Sequence, residues 1–198
     1  MNDYKKLLSR TIDTLNYTLS ERDDVFVTTS FGYQSALLFF LMEESGISSR
    51  CLFIKSSLAY GGIESQKDYL VDRFKLNIDV VNRSEWLEEQ LQGDEFLELD
   101  NSIRSRICYE LKREPLIDYI KENNHILWVS GIRRDQTDIR ARTHFLNTTD
   151  LNVVKVAPLY AWSKSEVHEL IRSAGLKVND DYVDLCKIND SKECGLHL

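Results

Sequence analysis

The sequence contains few cysteines, and it lacks several patterns that would indicate a function directly. Its four cysteines are Cys51, Cys108, Cys186 and Cys194, and no two of them form a CxxC pair. This spacing excludes a zinc ribbon and an iron–sulfur site written as paired cysteines. No Gly-Lys-Ser or Gly-Lys-Thr follows a glycine-rich loop, so a Walker phosphate-binding loop is excluded as well.

Basic residues are outnumbered, with 25 lysines and arginines against 32 aspartates and glutamates. The formal net charge of the 198-residue chain is −7, which disfavours a broad electrostatic grip on nucleic acid or on an anionic membrane. No apolar run is long enough to span a bilayer, and the N-terminal stretch MNDYKKLLSR lacks the layout of a secretory signal. We therefore expect a cytoplasmic protein that binds any anionic ligand through a focused basic cluster.

In a reducing compartment structural disulfides are not expected, so Cys108 and Cys186 are interpreted as small buried residues. His125 and His144 are expected to lie at the surface or to have their polar atoms satisfied. The only prolines are Pro115 and Pro158, and no low-complexity stretch suggests a linker between domains.

Short β-branched and apolar runs alternate with segments of helical spacing. Helices are indicated from Leu8 to Leu19, over the apolar Ser35–Met42, and after a capping box formed by Ser163 and Glu166. The alternation predicts a single α/β domain around a parallel sheet. The predicted strands are Val25–Thr28, Cys51–Ile54, Ile78–Val81, Ile126–Val129 and Val153–Val156.

Ligands of parallel sheets bind at the carboxyl ends of the strands, so the loops there are candidate sites. After the first strand comes TTSFGYQS, from Thr28 to Ser35. Gly32 permits close approach of a ligand, Ser30 and Ser35 offer hydroxyls, and the next helix N-terminus favours an anion. Taken alone, the stretch is better interpreted as an ordinary strand–helix turn with a serine cap.

After the fourth strand comes GIRRDQTDIRAR, from Gly131 to Arg142, the densest basic segment of the chain. Arginine binds phosphate and sulfate oxygens with two parallel hydrogen bonds, which suits a multiply anionic ligand. The alternative is a solvated surface on which the arginines pair with Asp135 and Asp138. The position at a strand end favours a binding site.

Four motifs together resemble a known family, the 3′-phosphoadenylyl sulfate (PAPS) reductases, which share the PP-loop adenine-nucleotide fold with the adenylyl sulfate (APS) reductases. The motifs are Ser30-Phe31-Gly32-x-Gln34, Gly131 to Gln136 with Arg140, Lys155-Val-x-Pro158-Leu159 with Trp162, and Glu193-Cys194-Gly195-Leu196-His197. This resemblance implies a nucleotide-binding domain over residues 1–185 and a flexible catalytic tail over residues 186–198.

The resemblance further implies that Cys194 attacks the sulfonate sulfur of PAPS and becomes S-sulfocysteine, from which reduced thioredoxin or glutaredoxin releases sulfite. It implies no bound cofactor and a homodimer. The substrate-binding residues that it implies are Ser30, Phe31, Gly32, Gln34, Ser35, Lys112, Gly131, Arg133, Arg134, Arg140, Trp162 and His197.

The chain departs from the family at two places. APS reductases usually hold a [4Fe–4S] cluster on four cysteines, whereas only Cys108 and Cys186 stand in the corresponding regions here. We therefore expect no iron–sulfur cluster and PAPS rather than APS as substrate. Lys55 stands where the family commonly has an aspartate, which reverses a charge beside the expected site.

Three other functions remain alternatives. A cluster-free APS reductase would have a similar sequence. An ATP-dependent PP-loop ligase or RNA-thiolating enzyme would prefer a Gly-Gly-x-Asp-Ser loop, and a non-catalytic nucleotide-binding protein would bind the nucleotide without forming an adduct on Cys194.

Overall fold

The computed structural model describes residues 3–83 and 93–188. The strands of these residues are β1 Val25–Thr29, β2 Arg50–Lys55, β3 Ala59–Tyr60, β4 Asn77–Asn82, β5 Leu127–Ser130, β6 Leu146–Thr148, β7 Val154–Val156 and β8 Val183–Asp184. Six of them build a sheet in the order β4-β2-β1-β5-β7-β6, in which only the pairing of β6 with β7 is antiparallel. A separate antiparallel pair joins β3 to β8.

Helices precede, connect and follow the strands of the sheet. They are α1 Asp3–Leu19, α2 Ser35–Glu44, α3 Ile63–Phe74, α4 Gly93–Glu98, α5 Asn101–Cys108, α6 Glu114–Asn123 and α7 Lys164–Ser173. A π-helical turn, Tyr109–Arg113, joins α5 to α6, and short 3₁₀ turns cover Ile139–Arg142 and Leu185–Lys187. None of the described helices is long and apolar enough to cross a membrane.

The five strands predicted from the sequence are confirmed as β1, β2, β4, β5 and β7, and the parallel α/β sheet is confirmed with them. The strands β3, β6 and β8 were not predicted. Each has only two or three residues, which is too short for an alternation of apolar and polar side chains to show.

The alternation of side chains along β1 divides the core between the two faces of the sheet. Val25 and Val27 pack with α1, α2 and α7 on one face, whereas Phe26 packs with α6 and Trp128 on the other. Most residues of helix α2 are buried, because the helix is apolar on nearly all sides. A third, smaller cluster holds Leu58, Phe96, Leu111 and Leu185 below the cavity described next.

The predicted start of α7 is confirmed in detail. Ser163 Oγ accepts a hydrogen bond from the Glu166 backbone N–H at 3.3 Å, and a Glu166 carboxylate oxygen accepts one from the Ser163 backbone N–H at 2.8 Å. Gly175 follows this helix with φ +63°, the left-handed conformation typical of a residue just past a helix end.

His125 corrects one prediction. It is buried against Phe26 and Tyr119, with ring centroids 4.9 and 5.4 Å away, and neither ring nitrogen has a hydrogen-bond partner among the described residues. Aromatic packing beneath the sheet, which the sequence does not reveal, outweighs the polarity of the imidazole. His144, by contrast, is exposed as predicted.

This burial predicts a pH dependence of stability. Desolvation lowers the pKa of His125 below its ordinary 6.5, so the unfolded chain binds this proton more tightly than the folded chain does. The free energy of unfolding should therefore fall as pH drops through 6.5 towards the folded-state pKa. Urea unfolding between pH 8 and pH 5 should show a shallower fall for His125→Phe, whereas exposed His144→Gln should follow the parent, and an unchanged slope for His125→Phe would contradict this explanation.

Candidate functional site

A cavity of about 630 Å³ opens at the carboxyl ends of the central strands. Its walls come from the loops after β1, β2 and β5 and from the end of β8, where a parallel sheet places its ligands. The volume lies within the range of small-molecule sites. The sequence-predicted residues that line it are Ser30, Gly32, Gln34, Ser35, Lys112, Gly131 and Arg140.

The loop after β1 is shaped by a threonine. Thr29 Oγ1 accepts a hydrogen bond from the Phe31 backbone N–H at 3.1 Å and donates one to Ser35 Oγ at 2.8 Å. Phe31 takes a left-handed φ of +52° and is fully buried, in edge contact with Phe53. Phe31 is therefore a core residue of the loop, and its side chain does not line the cavity as the resemblance implied.

Gly32 explains how this loop approaches the wall opposite. A Cβ at this position would lie 3.2 Å from Cδ1 of Tyr182, so the bare backbone lets the loop and the Tyr182 ring come together. Helix α2 then begins at Ser35, and the side chain of Gln34 does not cap it. Because Gln34 and Ser35 line the cavity, the N-terminus of α2 faces it, and its partial positive charge favours an anion there.

Gln34 instead links the two loops that the sequence singled out. With its amide oriented to satisfy its neighbours, it donates to the Gly131 carbonyl at 2.7 Å and accepts from Arg133 Nη1 at 2.6 Å and Gln136 Nε2 at 2.8 Å. Gln136 Oε1 in turn accepts from Arg140 Nη1 at 2.6 Å. This network holds the Arg140 guanidinium at the cavity wall, where it is buried.

The other basic residues of the Gly131–Arg142 segment have different surroundings. Arg133 is buried and donates to Asp135 at 2.8 Å, and it lines a neighbouring cavity rather than the main one. Arg134 is exposed, and its guanidinium lies 5.0 Å from the Tyr160 ring centre. Arg133 thus forms the ion pair with Asp135 that a solvated arginine surface would have, whereas Arg140 lines the main cavity.

Trp162 lies in the core and not in the main cavity. It is 1% exposed, packs in the cluster around α1 and α7, and donates its indole N–H to Thr11 Oγ1 at 3.1 Å. The motif pattern that suggested a pocket residue therefore marks packing here.

A buried carboxylate organises the far wall. Asp184 accepts hydrogen bonds from Lys112 Nζ at 2.5 Å, from Tyr182 Oη at 3.2 Å and from the Cys186 backbone N–H at 3.1 Å, and its second oxygen lies 3.6 Å from Lys187 Nζ. Burial raises the pKa of Asp184, but Lys112 and Lys187 outweigh it and hold the pKa below its ordinary value. Asp184 is thus ionised and fixes both ammonium groups at the cavity wall.

Lys55, which stands where the family commonly has an aspartate, lies on the cavity wall. Its positive charge is balanced there by Glu64. Its ammonium lies 3.4 Å from Glu64 Oε1, and both side chains are about half exposed. A hydrogen bond from Lys67, with Lys55 adding to it, lowers the pKa of Glu64. The Lys55–Glu64 pair leaves little net charge at this rim.

Sequence reasoning did not identify Gln136, Asp184 or Lys187 as site residues. These three line the cavity together with Tyr60 and Tyr182. Asp184 could not be found from spacing because its partner Lys112 is 72 residues away along the chain.

A second cavity, of about 910 Å³, adjoins the first and shares Gln136, Arg140 and Lys187 with it. It adds Arg104, Arg133 and Lys164, and Asp135 is the acidic residue among those that line it. An acidic protein therefore concentrates cations along two adjoining cavities, as a multiply anionic ligand requires.

The described residues include three of the four cysteines. Cys194, the predicted nucleophile, lies outside them, as does His197. Cys108 and Cys186 are buried as predicted, but they form a disulfide, which corrects the expectation that no disulfide is present. Their 78-residue separation hides this proximity in the sequence. Among residues 3–83 and 93–188, no three His, Cys, Asp or Glu side chains gather as a metal site.

Comparison with known proteins agrees with this geometry. A family model described as "Phosphoadenosine phosphosulfate reductase domain" matches residues 24–184. An adenosine 5′-phosphosulfate reductase of Staphylococcus epidermidis is 28% identical over 89% of this chain and 82% of its own length. One from Staphylococcus haemolyticus is 31% identical over 79% of this chain and 64% of its own length.

Solved structures show the same fold. A phosphoadenylyl-sulfate reductase from Candida auris, in complex with phosphate, superposes with a TM-score of 0.64 at 18% identity, over 85% of this chain and 88% of that one. NMN synthetase from Francisella tularensis gives 0.61 at 14% identity, over 89% and 73%. The fold is therefore shared with enzymes that handle other nucleotides.

Proposed function

Because this chain belongs to the phosphoadenosine phosphosulfate reductase domain family, we propose that it reduces an adenosine 5′-phosphosulfate nucleotide to sulfite. The observation that carries the proposal is the cavity at the strand ends. It combines the N-terminus of α2 with Lys112, Arg140 and Lys187 in a protein of net charge −7. Those groups match the phosphate and sulfonate oxygens of such a substrate.

The chemistry requires a nucleophile and a reductant. The Cys194 thiolate attacks the sulfonate sulfur, the S–O bond to the phosphate breaks, and the nucleotide leaves with the bond electrons. Arg140, Lys112 and Lys187 stabilise the negative charge that develops on the leaving phosphate. A dithiol protein such as thioredoxin or glutaredoxin then attacks the S-sulfocysteine, expels sulfite and becomes a disulfide.

PAPS is the expected substrate. The second basic cavity continues the first and offers Arg133 and Lys164 to an additional phosphate, which APS lacks. The shortage of cysteines for a four-thiolate cluster favours the same choice, so we propose that no iron–sulfur cluster is bound. A cytoplasmic location and a homodimer remain predictions.

APS is the second candidate, because the curated relatives in Staphylococcus epidermidis and Staphylococcus haemolyticus are named as reductases of that nucleotide. An ATP-dependent ligase activity has weaker support, since NMN synthetase, at 14% identity, shares only the fold with this chain.

A direct assay separates these candidates. The purified chain is incubated with PAPS or APS and reduced thioredoxin, and sulfite is measured over time. We expect sulfite from both nucleotides at saturating concentration, with kcat/KM higher for PAPS. Higher kcat/KM for APS would reverse the substrate assignment, and pyrophosphate from ATP without sulfite from either nucleotide would contradict the proposed function.

A further inference from the structure

A disulfide lies beside the candidate site and is attached at both ends to its charged wall. Cys108 is the last residue of α5, Cys186 lies in the 3₁₀ turn after β8, and their Cα atoms are 5.9 Å apart. Both are buried among Leu58, Leu111 and Leu185. This bond is the covalent connection between the α5–α6 region and the segment that follows β8.

A lysine that lines the main cavity follows each cysteine within four residues. Lys112 is four residues after Cys108, in the π-helical turn that continues α5, and Lys187 directly follows Cys186. The Cys186 backbone N–H donates to the Asp184 carboxylate at 3.1 Å, and that carboxylate binds both lysines. The bond and the carboxylate therefore hold the same two cations.

The segment that follows β8 is also held by non-covalent contacts, beginning with the pairing of β8 with β3. The Leu185 backbone N–H donates to the Leu58 carbonyl at 2.8 Å, and the half-buried Arg104 donates to the Ile188 carbonyl at 3.2 Å. The Lys187 ammonium lies 5.0 Å from the Tyr182 ring centre and is partly exposed to solvent. Without the disulfide, Lys187 would be released more readily than Lys112, because the Lys187 side chain is partly exposed whereas that of Lys112 is buried.

We propose that Cys108 and Cys186 are a reversible dithiol–disulfide pair, and that its oxidation strengthens anion binding in the adjoining cavity. Oxidation removes two electrons and two protons from the two thiols, and a small-molecule disulfide accepts them to become two thiols. Reduction reverses the exchange. The oxidised state has Lys112 and Lys187 ordered before the anion arrives, which removes part of the cost of binding.

The test compares the two oxidation states of the full chain in a Cys194→Ser background, so that Cys194 cannot enter thiol exchange. The protein is reduced with dithiothreitol or oxidised with oxidised glutathione, and thiols are counted by alkylation and intact-mass spectrometry. Binding of adenosine 3′,5′-bisphosphate and of inorganic pyrophosphate is then measured by calorimetry. The nucleotide probe rests on the proposed function, whereas pyrophosphate tests the anion site without it.

We expect oxidation to remove two alkylatable thiols and to tighten binding of both probes by about three- to tenfold, the ordering cost of one or two side chains. Cys186→Ala and Cys108→Ala should bind like the reduced protein in both conditions. Cys51→Ala should keep the full response, because that thiol lies in the core and burial raises its pKa.

Three results would overturn the proposal. They are failure of the disulfide to form, equal affinity of both oxidation states for both probes, and retention of the response in Cys186→Ala. The wild-type pair of measurements decides the question even where an alanine variant fails to fold. A response to pyrophosphate without nucleotide binding would support the switch while contradicting the proposed nucleotide function.

Discussion

Replacement of Cys194 by serine is expected to lower sulfite formation by at least ~10³-fold while nucleotide binding persists. A serine hydroxyl is far less nucleophilic than a thiolate near neutral pH, so the first chemical step fails. The cavity residues that we propose to bind the nucleotide lie elsewhere in the chain and are unchanged. Steady-state sulfite release and calorimetry with adenosine 3′,5′-bisphosphate measure the two effects separately.

Cys51→Ala is the matched control. Cys51 is 1% exposed in the core, and burial raises the pKa of its thiol, so it is not available as a nucleophile. This variant should retain sulfite formation wherever it folds, as near-UV circular dichroism reports. Undiminished turnover by Cys194→Ser would remove Cys194 from the mechanism.

Arg140→Ala is expected to weaken adenosine 3′,5′-bisphosphate binding by ~10- to 100-fold, the usual worth of a hydrogen bond to a charged group. Arg140 is buried at the junction of the two cavities, and Gln136 fixes its guanidinium. The loss of binding free energy in Arg140→Ala should be larger for the transition state, in which more charge lies on the leaving phosphate. Calorimetry gives the affinity, and the ratio of kcat/KM values gives the additional loss.

Arg134→Ala provides the comparison within the same loop. Its guanidinium stacks on Tyr160 and lines neither cavity, and its backbone N–H, which donates to the Tyr160 carbonyl at 3.2 Å, is kept in the variant. Affinity should stay within about twofold of the parent, as is usual for an exposed side chain. Equal losses in Arg134→Ala and Arg140→Ala would indicate a general charge effect and contradict the assigned position of Arg140.

The framework of the fold could be predicted from local patterns. Runs such as Val25–Thr28 and Ile78–Val81 are apolar and β-branched over the length of a buried strand, and the capping box at Ser163 is complete within four residues. Because parallel strands end at one edge, the loops after β1 and β5 had to meet, and Gln34 makes that contact.

The features that could not be predicted depend on contacts between residues that are distant in the sequence. The Lys112–Asp184 pair and the Cys108–Cys186 bond each span more than seventy residues, and neither residue carries a local signal of its partner. Phe31 and Trp162 illustrate a second limit of local sequence patterns. Both belong to motifs that suggested a binding role, yet their large apolar rings are buried in the core, which is where the hydrophobic effect favours them.

A single-turnover labelling experiment examines whether Cys194 carries the sulfonate. The reduced chain is mixed with PAPS carrying radioactive sulfur, without thioredoxin, and the digested protein is mapped by mass spectrometry. We predict one sulfonate per chain on the Cys194 peptide, released as labelled sulfite when reduced thioredoxin is added. Sulfite release without a covalent intermediate, label on another residue, or no label from either PAPS or APS would contradict the account.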